Sequence, residues 1–296
     1  MQTGAILRAT LKPTGFSIDP DQGLSEADEE QLVRMADQLG YDSAWTPSRA
    51  DAAAFDRCLR WYEASGLPVG ISAIPASGQS PEFYAEHARR AWEHTNGQFT
   101  LGVGSGVMPH PAQTMPPYLV DLRRRVPTEL PLYLAALGPF MLRLAGEMAD
   151  GVALNWCTRE QVAWSRRQLA DAAKAAGRPV PRIVEYIRTA VDPDRELARR
   201  TVAAAALNYS LHAPAYRRHF ERMGFGDELR RIESASDAPI PEFVSRVAAA
   251  GSPGQTRSQV EHLATGLDLP IIRVMVVRPG DVDSARRVLE ECRPIR

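Results

Sequence analysis

The sequence predicts an α/β protein of the (β/α)8 barrel type, and three observations predict it. Short apolar runs recur eight times, helix-length segments alternate with them, and 296 residues suit one such barrel. The pattern is clearest from Pro131 to Trp156. There PLYLAAL reads as a strand, Gly138-Pro139 as a turn opening a helix, Asp150-Gly151 as a second turn, and GVALNW as the next strand. A doubly wound sheet is the alternative architecture.

The elements follow in order. GAILRA, Gly4 to Ala9, is the candidate first strand, and a turn-rich loop runs from it to Gly23. Ser25 with Asp28 forms a capping box ahead of an amphipathic helix closed by Gly40. YDSAWTP is the second strand, and Ala52 to Ser65 a helix stopped by Gly66. PVGISAIPA is apolar throughout, as a strand buried on both faces requires. Ser80 and Pro81 are the cap and first-turn proline of the next helix, and FTLGVGSG is a fourth strand ending in glycines. Pro109, Pro111, Pro116 and Pro117 predict a rigid loop, with a short helix only from Tyr118. After the central unit, Thr158 caps a helix to Ala176, and RIVEYIRTAV is the seventh strand. Residues 195–265 form a mostly helical insertion, including Tyr216 to Arg231, Ile240 to Ala250 and Gln255 to Leu263. PIIRVMVV is the eighth strand and Val282 to Glu291 the last helix. The whole of 1–296 is expected to be one domain.

Bulk properties narrow the function. Lys and Arg number 35 against 36 Asp and Glu, so no basic footprint for nucleic acid or an anionic membrane is present. No apolar run reaches a membrane-spanning length, and the start, MQTGAILRATLKPTGF, lacks the features of a signal peptide. Three cysteines, Cys58, Cys157 and Cys292, lie far apart, which fits a reducing, cytoplasmic setting and no structural zinc. Metal-site, nucleophile-elbow and nucleotide phosphate-loop motifs are missing; Gly102, Gly104 and Gly106 read GxGxG, not the dinucleotide fingerprint.

In a barrel the chemistry sits at the C-terminal strand ends. Gly138 and Pro139 begin a helix whose free N–H groups suit a phosphate, although a plain turn would read the same way. Gly104, Ser105 and Gly106 offer a second stretch of bare backbone, or simply tight packing. Asn155, Trp156, Cys157 and Thr158 end the sixth strand, with Thr158 also explicable as a cap and Cys157 as a buried small residue. His110 has the best position among the histidines for acid-base work, and Tyr186 is a second candidate to supply a proton or orient a substrate.

LGYDSAW at 39–45, NGQFTLGVGSG at 96–106 and PLYLAALGPFMLRLAGEMADGV at 131–152 together resemble the luciferase-like monooxygenase superfamily, and within it the branch of deazaflavin (coenzyme F420)-dependent oxidoreductases. The resemblance spans most of the chain but fades over 195–265. It implies a bacterial luciferase-like TIM barrel, commonly dimeric, that binds F420 or FMN at its C-terminal face. It implies a non-prolyl cis peptide within Ser72, Ala73 and Ile74. It further implies a phosphate and ribityl chain cradled by Ala136, Leu137, Gly138, Pro139 and Phe140 with Gly104, Ser105 and Gly106, and a ring walled by Trp45, Ile74 and Trp156. The chain departs from the pattern in three places. Phe140 follows Gly-Pro where many F420-using relatives carry Lys. Thr46, Pro47, Ser48 and Arg49 replace an acidic residue or His, leaving Arg49 as a candidate anion ligand. The segment from 106 to 131 is shorter than usual. The expected function is F420-dependent hydride transfer to or from a small organic substrate, in a homodimer served by a separate reductase. The alternatives are an FMN-dependent monooxygenase using reduced FMN and oxygen, and a non-catalytic barrel that has lost its cofactor.

Overall fold

The computed structural model describes residues 13–233 and 240–294. Nine strands lie within them: β1 Gly15–Ile18, β2 Ser43–Thr46, β3 Val69–Pro75, β4 Phe99–Gly104, β5 Leu132–Ala135, β6 Gly151–Asn155, β7 Arg182–Val191, β8 Ala249–Gly251 and β9 Leu269–Val274. All pair in parallel. Eight of them close on themselves through the β6–β7, β7–β9 and β9–β1 ladders, with β8 added to the far end of β7. The expected (β/α)8 barrel is therefore the fold. The helices are α1 Glu26–Leu39, α2 Ala53–Ser65, α3 Pro81–His94, α4 Pro111–Arg125, α5 Pro139–Met148, α6 Arg159–Ala175, α7 Arg195–His212, α8 Pro214–Arg222, α9 Gly226–Glu233, α10 Val244–Val247, α11 Gln255–Leu263 and α12 Val282–Glu291.

Local chemistry explains the helix starts. Ser25 Oγ accepts from the Asp28 N–H while the Asp28 carboxylate accepts from the Ser25 N–H, the capping box read from sequence. Ser80 and Thr158 cap α3 and α6 by accepting from the third residue onward. None of the described helices is long and apolar enough to cross a membrane.

Three elements differ from expectation. The candidate strand at Gly4 to Ala9 lies outside the described residues; β1 is instead Gly15–Ile18, in the stretch read as loop. Phe16 and Ile18 point outward into the core, where Phe16 meets Tyr41 edge-on and stacks near Trp61. The inward positions are Gly15 and Ser17, so no apolar run marks the strand. The supposed loop around Pro116 and Pro117 is the middle of α4. Two prolines remove amide donors there, but Met115, Leu119 and Leu122 bury one face and hold the helix together. Within the insertion, 240–250 is not one helix. It is the single turn α10 followed by β8, whose three residues hydrogen-bond to Thr189–Val191.

The barrel interior is filled rather than hollow. Trp45 and Tyr133 stack at 6.2 Å, with Val184, Tyr186, Leu269 and Ile271 around them. They fit because glycines face them. A Cβ on Gly70 would lie 2.5 Å from the Trp45 ring, and one on Gly151 would lie 2.5 Å from Tyr133. Outside the barrel, Glu29 is buried between α1 and α2, paired with Arg57 and accepting from the Trp61 indole. We expect Gly70→Ala to destabilise the protein by about 2 kcal/mol through overpacking. An urea-unfolding midpoint lowered at constant slope would confirm it; an unchanged midpoint would show that Trp45 is free to shift.

Candidate active site

A cleft of about 440 Å³ opens at the C-terminal ends of the strands. That volume falls in the usual range of roughly 300–1,000 Å³ for small-molecule sites. Three walls define it.

The first wall is the turn from β5 into α5. Gly138 is extended and Pro139 is the first helical residue, so the amides of the first turn point out without helix partners. Helix α8 lies against this turn. Arg222 donates to the Leu137 carbonyl at 2.6 Å, and His219 Nδ1 lies 3.2 Å from the same oxygen. Arg218, exposed on the same helix, also lines the cleft. Neither Arg218 nor Arg222 pairs with a carboxylate among the described residues, so both leave positive charge beside the helix start.

His219 also ties α8 to the end of β6. Its Nε2 lies 3.1 Å from the Trp156 carbonyl and 3.7 Å from the Cys157 thiol. Burial pushes its pKa down to about 4, so the ring is neutral and carries one N–H. That one N–H serves one of the two carbonyls, Trp156 from Nε2 or Leu137 from Nδ1, while the Cys157 thiol donates to the Asn155 carbonyl at 3.7 Å. Burial raises the Cys157 pKa well above the ordinary thiol value, which makes it a structural group and not a nucleophile. Glu185 accepts from the Cys157 N–H at 2.7 Å, and burial raises its pKa to about 8.

The second wall is β3 with β4. The Ser72–Ala73 peptide is cis, as the sequence resemblance implied, and the β3–β4 register shifts between Ile71 and Ile74. Ser72, Ala73 and Ile74 line the cleft there, facing Gly104, Ser105 and Gly106. Gly106 has φ of 59°, and a Cβ on it would meet Ser77 Oγ at 2.4 Å, so a side chain has no room.

The third wall joins β6, β7 and β9. Asn155 donates to the Tyr216 hydroxyl at 2.6 Å and accepts from Arg188. The Arg188 guanidinium lies 3.9 Å over the Trp156 ring and 4.8 Å from that of Tyr209. Trp156 takes up a left-handed backbone, φ 56°, to put its indole there, a conformation that costs a non-glycine residue about 1–3 kcal/mol. Arg273 is held by two oxygens of Asp19 and lies 4.9 Å over Tyr186. Burial works against its charge, but Asp19 more than offsets this and raises the Arg273 pKa. Arg188 has no such carboxylate: burial, then repulsion from Arg273, brings its pKa down to about 10. Tyr186 lines the cleft, its hydroxyl meets only the Ser17 hydroxyl without a well-formed hydrogen bond, and burial keeps it protonated.

The cleft thus brings together Ser72, Ala73, Ile74, Gly104, Ser105, Gly106, Ala136, Leu137, Gly138 and Tyr186 from the sequence candidates. Six others do not line it. Trp45 plugs the barrel interior, donating to Ser43 at 2.8 Å. Trp156 is fully buried beneath Arg188. Pro139 is exposed, and half-buried Phe140 packs against the core beneath Arg143. His110 caps α4 with φ 48° and an exposed side chain. Arg49, considered for anion binding, is paired with Asp21 at the surface. Sequence reasoning missed Arg188, Tyr209, Tyr216, Arg218, Arg222 and Arg273. The only available signal was arginine inside an otherwise apolar strand. No group of three or more metal-ligating side chains converges among the described residues.

Comparison with known proteins follows the same lines. The family model described as luciferase-like monooxygenase matches residues 109–268. An uncharacterized protein of Mycobacterium tuberculosis is 22% identical over 264 residues, covering 70% of this chain and 78% of its own. The 5,10-methylenetetrahydromethanopterin reductase of Methanopyrus kandleri is 26% identical over 183 residues, 57% of this chain and 50% of that protein. A solved structure of the coenzyme F420-dependent tetrahydromethanopterin reductase from that organism matches with a TM-score of 0.67 at 16% identity, covering 94% and 98% of the two chains. The FMN-bound oxygenating constituent of 3,6-diketocamphane monooxygenase from Pseudomonas putida matches at 0.64 with 15% identity, covering 96% of each. At such identities the structural matches speak to fold alone.

The two buried titratable groups predict opposite pH trends. His219 binds a proton in the unfolded chain before it does so in the fold. Its site therefore weakens by about 3 kcal/mol as pH falls from 6.5 to 4. Glu185 is protonated in the fold where the unfolded chain is not, so stability falls as pH rises from 4.5 through 8. Urea midpoints across this range should show His219→Gln gaining on the wild type at acid pH and Glu185→Gln gaining at alkaline pH. Parallel profiles for all three proteins would contradict both assignments.

Proposed function

The chain belongs to the luciferase-like monooxygenase family, and on that premise we propose that it is an F420-dependent oxidoreductase acting on a small organic substrate. Membership places it among oxidoreductases and monooxygenases that work with a flavin-type cofactor. The observation that carries the finer reading is the pair of arginines on α8 beside the β5–α5 turn. Phe140 leaves this turn without the lysine of many F420-using relatives, and Arg218 and Arg222 restore positive charge from a different element. F420 carries an acidic lactyl-glutamate tail that FMN lacks, so surplus basic charge favours F420.

The residues present fit such a group. The first-turn amides of α5 with Arg222 would hold its phosphate, and exposed Arg218 would meet the acidic tail beyond it. Gly104 and Gly106 would let backbone approach the chain that follows, and the partly exposed Ala73, Ala135 and Met141 give apolar surface for a ring. When bound, the deazaflavin supplies or accepts the hydride; the protein supplies orientation and shielding. Tyr186 would hold a proton at its hydroxyl, facing the substrate from the barrel floor. A cytoplasmic homodimer supported by a separate reductase belongs to the same proposal. The likeness to the coenzyme F420-dependent tetrahydromethanopterin reductase of Methanopyrus kandleri supports the F420 reading, while that to the FMN-bound diketocamphane enzyme supports the FMN-dependent alternative.

Replacing both α8 arginines by alanine should weaken F420 binding roughly 10- to 100-fold while leaving the fold intact, as expected for lost charge-assisted bonds. Fluorescence titration measures this. Unchanged F420 affinity in the double variant would remove the phosphate role from α8.

A further inference from the structure

We infer that the wall built by β7 and β9 is a second anion site, shaped for a carboxylate or similarly acidic group on the substrate and separate from the phosphate position at Gly138. The inference rests on the proposed oxidoreductase function and names the substrate class for it.

Register makes the case. Arg188 of β7 and Arg273 of β9 are direct cross-strand partners, both inside the barrel mouth and both buried. Like charges placed opposite one another disfavour a sheet. One carboxylate, Asp19, is available, and it binds Arg273. No carboxylate pairs with Arg188 among the described residues. Glu185, its near neighbour on β7, turns instead to the Cys157 amide, where burial favours its protonated form. The pair therefore retains uncompensated positive charge away from water, a costly state unless a partner arrives.

Two unsatisfied donors accompany that charge. Arg188 Nη2 and the Tyr186 hydroxyl are both more than nine-tenths buried and complete no well-formed hydrogen bond among the described residues; the hydroxyls beside them, Tyr209 and Ser17 respectively, leave them short of a strong acceptor. The Arg188 guanidinium lies 3.9 Å from the Trp156 ring and 4.8 Å from that of Tyr209, so the two aromatic rings hold it immediately behind the cleft lining. Tyr186, Tyr209 and Arg273 line the cleft. An acidic group seated against them lies in the field of both arginines. The substrate thus resembles a small organic acid, with its charged end on this wall and its reacting carbon toward the cofactor.

The test uses the protein as purified, with benzoate and its neutral relative benzyl alcohol as probes and inorganic phosphate as a control, all read by calorimetry without added cofactor. Benzoate should bind at least tenfold more tightly than benzyl alcohol. Arg188→Gln and Tyr186→Phe should each erode that preference while leaving phosphate binding unchanged, whereas Arg222→Ala should do the reverse. Asp19→Asn, which removes the counter-charge, should tighten benzoate binding, a direction that a purely structural role does not produce. Equal affinity for the two probes, or a benzoate preference that survives Tyr186→Phe and any folded Arg188→Gln protein, would overturn the inference. Because F420 and FMN are titrated separately, failure here and failure of the cofactor reading are distinguishable.

Discussion

The fit of Trp45 and Tyr133 inside the barrel is the constraint on which the site depends. Two large rings occupy an eight-stranded interior, and they do so because Gly15, Gly70 and Gly151 present no side chains to them. An interior so filled leaves no room for a ligand along the axis. Anything bound is confined to the mouth, above Tyr186 and between the strand ends. The glycines of β3, β4 and β6 thus do two jobs at different heights. Low in the barrel they admit aromatic rings, and at the end of β4 they bare the backbone.

Charge placement organises the mouth. The chain as a whole is nearly neutral, yet four arginines gather at this end of the barrel, Arg188, Arg218, Arg222 and Arg273, with Asp19 paired to one of them. They arrive from separate parts of the chain. Arg188 and Arg273 are interior residues of neighbouring strands, while Arg218 and Arg222 come from the helical segment after β7. His219, one position from Arg218 and three from Arg222, sits between the β5–α5 turn and the end of β6, within hydrogen-bond distance of a carbonyl on each, and its single N–H ties the helix to one of them. The insertion is therefore part of the site, since its anchoring sets where two of the four charges stand.

Much of this was legible in the sequence. Helix caps at Ser25, Ser80 and Thr158 are local patterns, so they survive folding unchanged. The Gly138–Pro139 helix start and the glycines after β4 were legible because backbone conformation demands those residue types. β1 was not, because four residues with Gly and Ser on the inner face carry no apolar run. α4 was not, because tandem prolines read as a break unless the buried face of Met115, Leu119 and Leu122 is known to hold them. Arg188, Arg273 and the α8 arginines were missed for a different reason. A charge on a strand or an amphipathic helix ordinarily faces water, and only tertiary register reveals that Arg218, Arg222 and Arg273 line one cleft with Arg188 buried behind it. Trp45 failed in the converse way, since an aromatic near a strand end fits a ligand wall and a barrel plug equally well.

The central claim is that this cleft holds a deazaflavin rather than FMN, with the α8 arginines providing its anionic grip. Calorimetric titration of the wild-type protein with F420 and with FMN, each oxidised and reduced, tests it most directly. The account predicts preferential binding of F420. Preferential binding of reduced FMN with oxygen uptake on its addition would contradict it in favour of a monooxygenase, and a folded protein that binds neither would leave a barrel without flavin chemistry.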